Sequence, residues 1–100
     1  MDIQQKVLND KSLLAQAVEL SNQYRLSFKE AALITACYLN GEKVKFTEII
    51  NAIKFLKGEL LRVSIYEAEF HRTMFKNIGY VFNEIIINLP DNMVEIALYK

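Results

Sequence analysis

The sequence predicts an α+β fold, mostly helical and closed by a C-terminal β-hairpin. Three observations predict it. Apolar residues recur at steps of three and four over most of residues 2–77, the spacing of one helix face. The pattern then changes. Residues 80–87 and 93–99 are rich in β-branched and aromatic side chains, and Asn88-Leu89-Pro90-Asp91-Asn92 between them has the composition of a turn. Finally, 100 residues at 52% hydrophobic content are enough for one core and carry no signature of disorder.

Each element follows in order. Residues 2–24 hold no Gly or Pro, and Ile3, Val7, Leu14 and Val18 recur at helical spacing, with Leu13 and Ala17 broadening the stripe. A helix of that length spans roughly 33 Å, long for so short a chain, so part of its stripe is expected to pack on something other than its own chain. Ser27-Phe28-Lys29-Glu30 is a capping box, in which hydroxyl and carboxylate satisfy each other's backbone amides. It opens a second helix that runs to residue 40, with Gly41 expected in the left-handed position beyond its end. Glu42-Lys43-Val44-Lys45-Phe46 alternates polar and apolar residues, as a short strand or an extended entry segment does. Thr47 is expected to cap a third helix, 47–57, which Lys57-Gly58 ends. Val63, Tyr66, Phe70 and Met74 place a fourth helix over 59–77. A hairpin over 80–99 follows, with a loop of four or five residues, and it needs the helices to lie against, because an isolated hairpin is marginal in water. No linker, repeat or low-complexity segment divides the chain, so one domain is expected over residues 1–100.

Composition excludes several function classes. Twelve basic and twelve acidic residues cancel, so the chain does not coat nucleic acid by charge alone. The single cysteine, Cys37, supports no internal disulfide and lies in an apolar run, where a free thiol is an inert small hydrophobe. The N-terminus, Met1-Asp2-Ile3-Gln4-Gln5-Lys6, is polar and carries an acid, unlike a signal peptide. No stretch approaches the roughly 20 apolar residues of a membrane span. A cytoplasmic protein without membrane contact is expected.

No catalytic, metal or cofactor constellation emerges. His71, the only histidine, is expected on the polar face of its helix, and with Cys37 it supplies too few ligands for zinc. The three glycines stand apart, so there is no phosphate loop. Neighbouring acids such as Glu67 and Glu69 point to different helix faces. An enzyme is therefore not expected.

Helix, helix, extended segment, helix, helix, hairpin is the element order of a winged helix-turn-helix, with 47–57 and 59–77 as the helix pair and the hairpin as the wing. The stretches Tyr24-Arg25-Leu26-Ser27-Phe28-Lys29-Glu30 and Thr47-Glu48-Ile49-Ile50-Asn51-Ala52-Ile53 resemble the small winged-helix regulators of the staphylococcal accessory regulator group, relatives of the multiple-antibiotic-resistance regulators. The resemblance covers residues 20–56 and, loosely, the hairpin. It implies a transcriptional regulator that binds duplex DNA as a dimer, here through the N-terminal helix, with the fourth helix in the major groove and the wing on the backbone. The chain departs from that pattern in having no Arg at the wing tip, Pro90-Asp91-Asn92-Met93, and no helix after the wing. Its charge also sits in the wrong half: residues 1–58 carry a net +2 and residues 59–100 a net −2.

Two functions follow. In the first, Lys45, Lys54, Lys57 and Arg62, with Tyr66, contact DNA phosphates or bases; Lys43 belongs to the same cluster, and the alternative for all of them is an ordinary solvated surface. In the second, the chain is an interaction module of a phage or mobile element. It then binds a protein partner, such as a replication enzyme, at the wing, whose last strand Ile96-Ala97-Leu98-Tyr99 is expected at an uncovered edge. It binds single-stranded DNA instead if some of Phe55, Tyr66, Tyr80, Phe82 and Tyr99 form a stacking platform rather than core.

Overall fold

A computed structural model describes residues 2–40 and 44–99. The chain divides into two compact units, residues 1–45 and 46–100. It is mixed α+β: helices throughout and one three-stranded antiparallel sheet near the C-terminus.

The first unit is all helical. Helices α1 (Ile3–Leu8) and α2 (Lys11–Tyr24) replace the single long helix that periodicity suggested. The break is chemical. The Asp10 carboxylate accepts the amides of Ser12 at 3.0 Å and Leu13 at 3.2 Å, and this local cap competes with a continuous helix. The buried stripe of α2 is Leu13, Ala17 and Leu20, while Val18 faces solvent. With the 33 Å rod gone, its length no longer argues for a dimer along that helix.

A left-handed Arg25 (φ 54°) ends α2, and the Leu26 amide reaches back to the Ser21 carbonyl at 3.1 Å. That closure turns the chain directly into α3 (Phe28–Ile34). There the expected capping box is in place, with Glu30 N–H donating to Ser27 Oγ and Ser27 N–H to Glu30 Oε1, both at 3.1 Å. The helix then widens into a π-helical segment, Thr35–Leu39, closed by the Asn40 amide on the Thr35 carbonyl at 2.8 Å. Asn40, at φ 32°, takes the left-handed position expected of Gly41, which lies outside the described residues with Glu42 and Lys43. Residues 31–38 are all buried. Cys37 is among them, and burial pushes its thiol up to about 12, so it is the inert hydrophobe its neighbours suggested.

The second unit opens with α4 (Phe46–Leu56); Thr47 is therefore its second residue, not its cap. Gly58, at φ 75°, closes it. The Gly58 amide donates to Phe55 and the Glu59 amide to Lys54, both at 3.0 Å, the paired bonds of a Schellman motif. The expected helix over 59–77 is corrected in its first part. Strand β1 (Leu61–Ser64) comes first, and α5 (Ile65–Asn77) follows it directly. Leu61 and Val63 are buried and Arg62 is exposed, a period of two that only a strand satisfies. Ser64 ends the strand and caps α5 by accepting the Glu67 amide at 3.1 Å. A strand, not a turn, therefore separates α4 from α5.

Strands β2 (Asn83–Leu89) and β3 (Met93–Tyr99) form the expected hairpin, with a three-residue loop where four or five were expected. Asp91 and Asn92 both have positive φ, and the Met93 amide donates to the Pro90 carbonyl at 3.4 Å, the signature of a type I′ turn. The sheet order is β1-β3-β2. The terminal strand is thus central rather than an exposed edge, and β2 is an edge instead. Register places Leu61 and Ile86 beside Ile96, and Val63 beside Val94, so these residues and Leu98 share the inner face. Helices α4 and α5 pack on that face, with Phe55, Phe75 and Ile96 fully buried.

A candidate aromatic cleft on the second unit

The helix-closing turn at Gly58 and the segment leading into β2 open a cleft of about 340 Å³. Phe55, Leu56, Lys57 and Gly58 line one side; Tyr80, Phe82, Leu98 and Tyr99 line the other. Its volume lies at the low end of the range for small-molecule sites.

Each lining residue is placed by the fold. Phe55 is buried on the inner side of α4, edge-on to the buried His71 ring with centroids 5.1 Å apart. The Schellman turn then throws Lys57 outward, where its ammonium stands exposed and forms no ion pair among the described residues. After α5, the Tyr80 amide donates to the Phe75 carbonyl at 3.1 Å, which turns the chain back towards the sheet. Tyr80 and Phe82 then stack on each other, centroids 6.1 Å apart and planes within 28°. Phe75 backs both rings, at 5.6 Å from Tyr80 and 6.2 Å from Phe82. Tyr80 and Phe82 are half-buried, and Tyr99 is 49% exposed at the end of β3. The result is a packed aromatic wall with accessible ring surface and one cation at its lip.

Of the five residues expected to touch DNA, only Lys57 lines this cleft. Lys54 lies exposed three positions earlier on α4. Arg62 projects from β1 and pairs with Glu95 on the neighbouring strand at 3.0 Å. Tyr66 stands 77% exposed in the first turn of α5. Lys45 belongs to the first unit. Of the stacking candidates, Tyr80, Phe82 and Tyr99 converge here with accessible rings, Phe55 lines the cleft but is core, and Tyr66 lies elsewhere.

His71, expected on a surface, is buried on α5, with its ring also edge-on to Phe70 at 5.3 Å. Burial lowers its pKa to about 4, so the ring is neutral at pH 7. Arg72, next in sequence, donates through Nε to both Glu84 oxygens at 3.0 Å and pairs through its guanidinium with Glu69. This carboxylate–guanidinium network ties α5 to β2, and sequence separation hid it. Among the described residues no helix is long and apolar enough to cross a membrane. The chain matches no known protein family, no curated protein and no solved structure.

Proposed function

We propose that this chain is a non-catalytic binding module that takes an unpaired base of single-stranded nucleic acid into its aromatic cleft. The observation that carries this reading is the convergence of the accessible rings of Tyr80, Phe82 and Tyr99 with the exposed Lys57 in one open cleft, over the buried Phe55. Aromatic faces stack with any base whose own face is exposed, and a nearby cation meets the phosphate that follows it. Bases inside a duplex present no free face. The rest of the second unit also disfavours duplex reading: Arg62 is engaged by Glu95 and the first turn of α5 carries Glu67.

One observation favours the other reading, a winged-helix regulator of duplex DNA. A hairpin that follows α5 and whose second strand pairs with β1 supports that reading, although β1 stands where the helix pair needs a turn. On that reading α5 enters the groove, and Tyr66 and Arg62 carry contacts.

Fluorescence anisotropy with labelled oligo-dT and with duplex DNA of random sequence separates the two. Stacking on one aromatic ring accounts for about 1–3 kcal/mol per base. Tyr99→Ala is therefore expected to weaken single-strand binding by about fivefold or more, while Tyr66→Ala leaves it unchanged. Duplex binding lost on Tyr66→Ala and kept on Tyr99→Ala would overturn the cleft and support the regulator.

A further inference from the structure

Among the described residues, strand β2 is an edge of the sheet, paired only with β3. It runs seven residues, Asn-Glu-Ile-Ile-Ile-Asn-Leu, with no Pro, Lys or Gly. Ile85, Ile86 and Ile87 are 52%, 41% and 46% exposed. Sheet edges are normally blunted by charge, proline, bulges or short length, because their unpaired amides and carbonyls template another strand. The opposite edge, β1, is four residues long and carries Arg62. On β2 the one charge, Glu84, points to the inner face and is held by Arg72.

About Ile86 the sequence of β2 is symmetric at Ile85 and Ile87, polar on both sides at Glu84 and Asn88, and unlike only at Asn83 and Leu89. An antiparallel pairing of two β2 strands centred there places Ile86 against its own copy. Ile85 then lies opposite Ile87 of the other chain, and Glu84 opposite Asn88. It is the one register that pairs all seven residues of both strands. No like charges face each other, and the Asn88 amide can donate to the carboxylate that Arg72 already orients. An isologous contact requires this self-complementarity.

We propose that a second copy of this chain covers β2, joining two three-stranded sheets into one continuous six-stranded sheet across a two-fold axis at Ile86. Residues of alternate parity face opposite sides, so the pairing covers isoleucines on both: Ile86 inside, and Ile85 with Ile87 outside. The edge is thereby removed rather than blunted. The interface lies on the hairpin and needs nothing from the N-terminal helices or from a ligand in the cleft.

Sedimentation equilibrium from micromolar to millimolar protein tests for the dimer, and three variants test its register. Asn88→Glu sets like charges opposite each other twice per dimer and is expected to weaken association by about tenfold. Asn88→Lys sets opposite charges there and is expected to preserve or tighten it. Ile86→Cys brings two thiols face to face at a cross-strand separation that a disulfide spans, so mild oxidation should give a covalent dimer. Ile85→Cys sits diagonal to its own copy, beyond disulfide reach, and should not. Native Cys37 is buried and does not compete. A monomer at every concentration would overturn the proposal. So would equal cross-linking of the Ile85 and Ile86 variants, or equal affinity of the two Asn88 variants, since each removes the register.

Discussion

The buried imidazole of His71 makes stability depend on pH in a definite direction. Its folded pKa is lowered to about 4 from an ordinary 6.5, because burial between Phe55 and Phe70 penalises the charged ring. Between those two values the unfolded chain binds a proton that the folded chain does not. The stabilisation is therefore complete above pH 6.5 and is lost as pH falls towards 4, at a slope of at most about 1.4 kcal/mol per pH unit. Chemical denaturation at intervals across that window should show the decline, and His71→Phe should flatten it whatever the variant does to absolute stability. An unchanged slope in the variant would assign the decline to carboxylates instead. The same residue shows where local pattern stops being informative. Phe70-His71-Arg72 reads as a boundary between apolar and polar faces, and the rotation of α5 that buries His71 is set by strand β1, which the helical reading of residues 59–77 had hidden. Cys37 was legible because all its neighbours in sequence are also its neighbours in burial.

At the level of elements, what could be read from sequence were features closed by local hydrogen bonds. The Ser27/Glu30 box, the end of α4 at Gly58 and the hairpin all depend on residues within a few positions of one another. Strand β1 was missed because four residues give only two periods of alternation, and Leu61-Arg62-Val63 fits a helix equally well. The stop signal was nevertheless present: Ser64-Ile65-Tyr66-Glu67 has the spacing of a capped helix start, and Ser64 does cap α5. Asp10 was a similar unread signal in the first unit. The hairpin loop carries a further consequence. Asp91 and Asn92 both occupy the left-handed region, at φ 64° and 59°, where Asn is tolerated and Gly is free of strain. Asn92→Gly should therefore stabilise the second unit by about 0.5–1 kcal/mol in thermal or urea unfolding. Asn92→Val, β-branched at the same position, should destabilise it by at least as much. If both variants unfolded like the native chain, the turn would not hold the hairpin's register.

On the scale of the whole molecule, charge sets how the proposed single-strand binding should respond to salt. The chain is neutral overall, and its second unit carries one more acid than base. Arg62 and Arg72 are both committed to carboxylates, which leaves Lys54 and Lys57 as the cations nearest the cleft in sequence among the described residues. The aromatic candidates were legible as a set, because any exposed ring is a possible platform. Their convergence was not, since Phe55 and Tyr99 meet only through the pairing of a helix end with the last strand. On the proposed function the cleft would derive its affinity from ring faces rather than phosphates, and that has a measurable signature. Two phosphate contacts to a single strand give a slope of about −1.4 in log affinity against log salt, so affinity should fall by less than about tenfold between 50 and 200 mM salt. A duplex reader making six to ten phosphate contacts loses about a thousandfold or more over the same range. Repeating the oligo-dT titration across that range, with Lys57→Gln beside the native chain, tests the balance. The variant should lower the slope by about 0.7 and leave most of the high-salt affinity intact, because stacking persists when charge is screened. A steep native slope, or affinity that vanishes at high salt, would assign the binding to charge and remove the cleft from it.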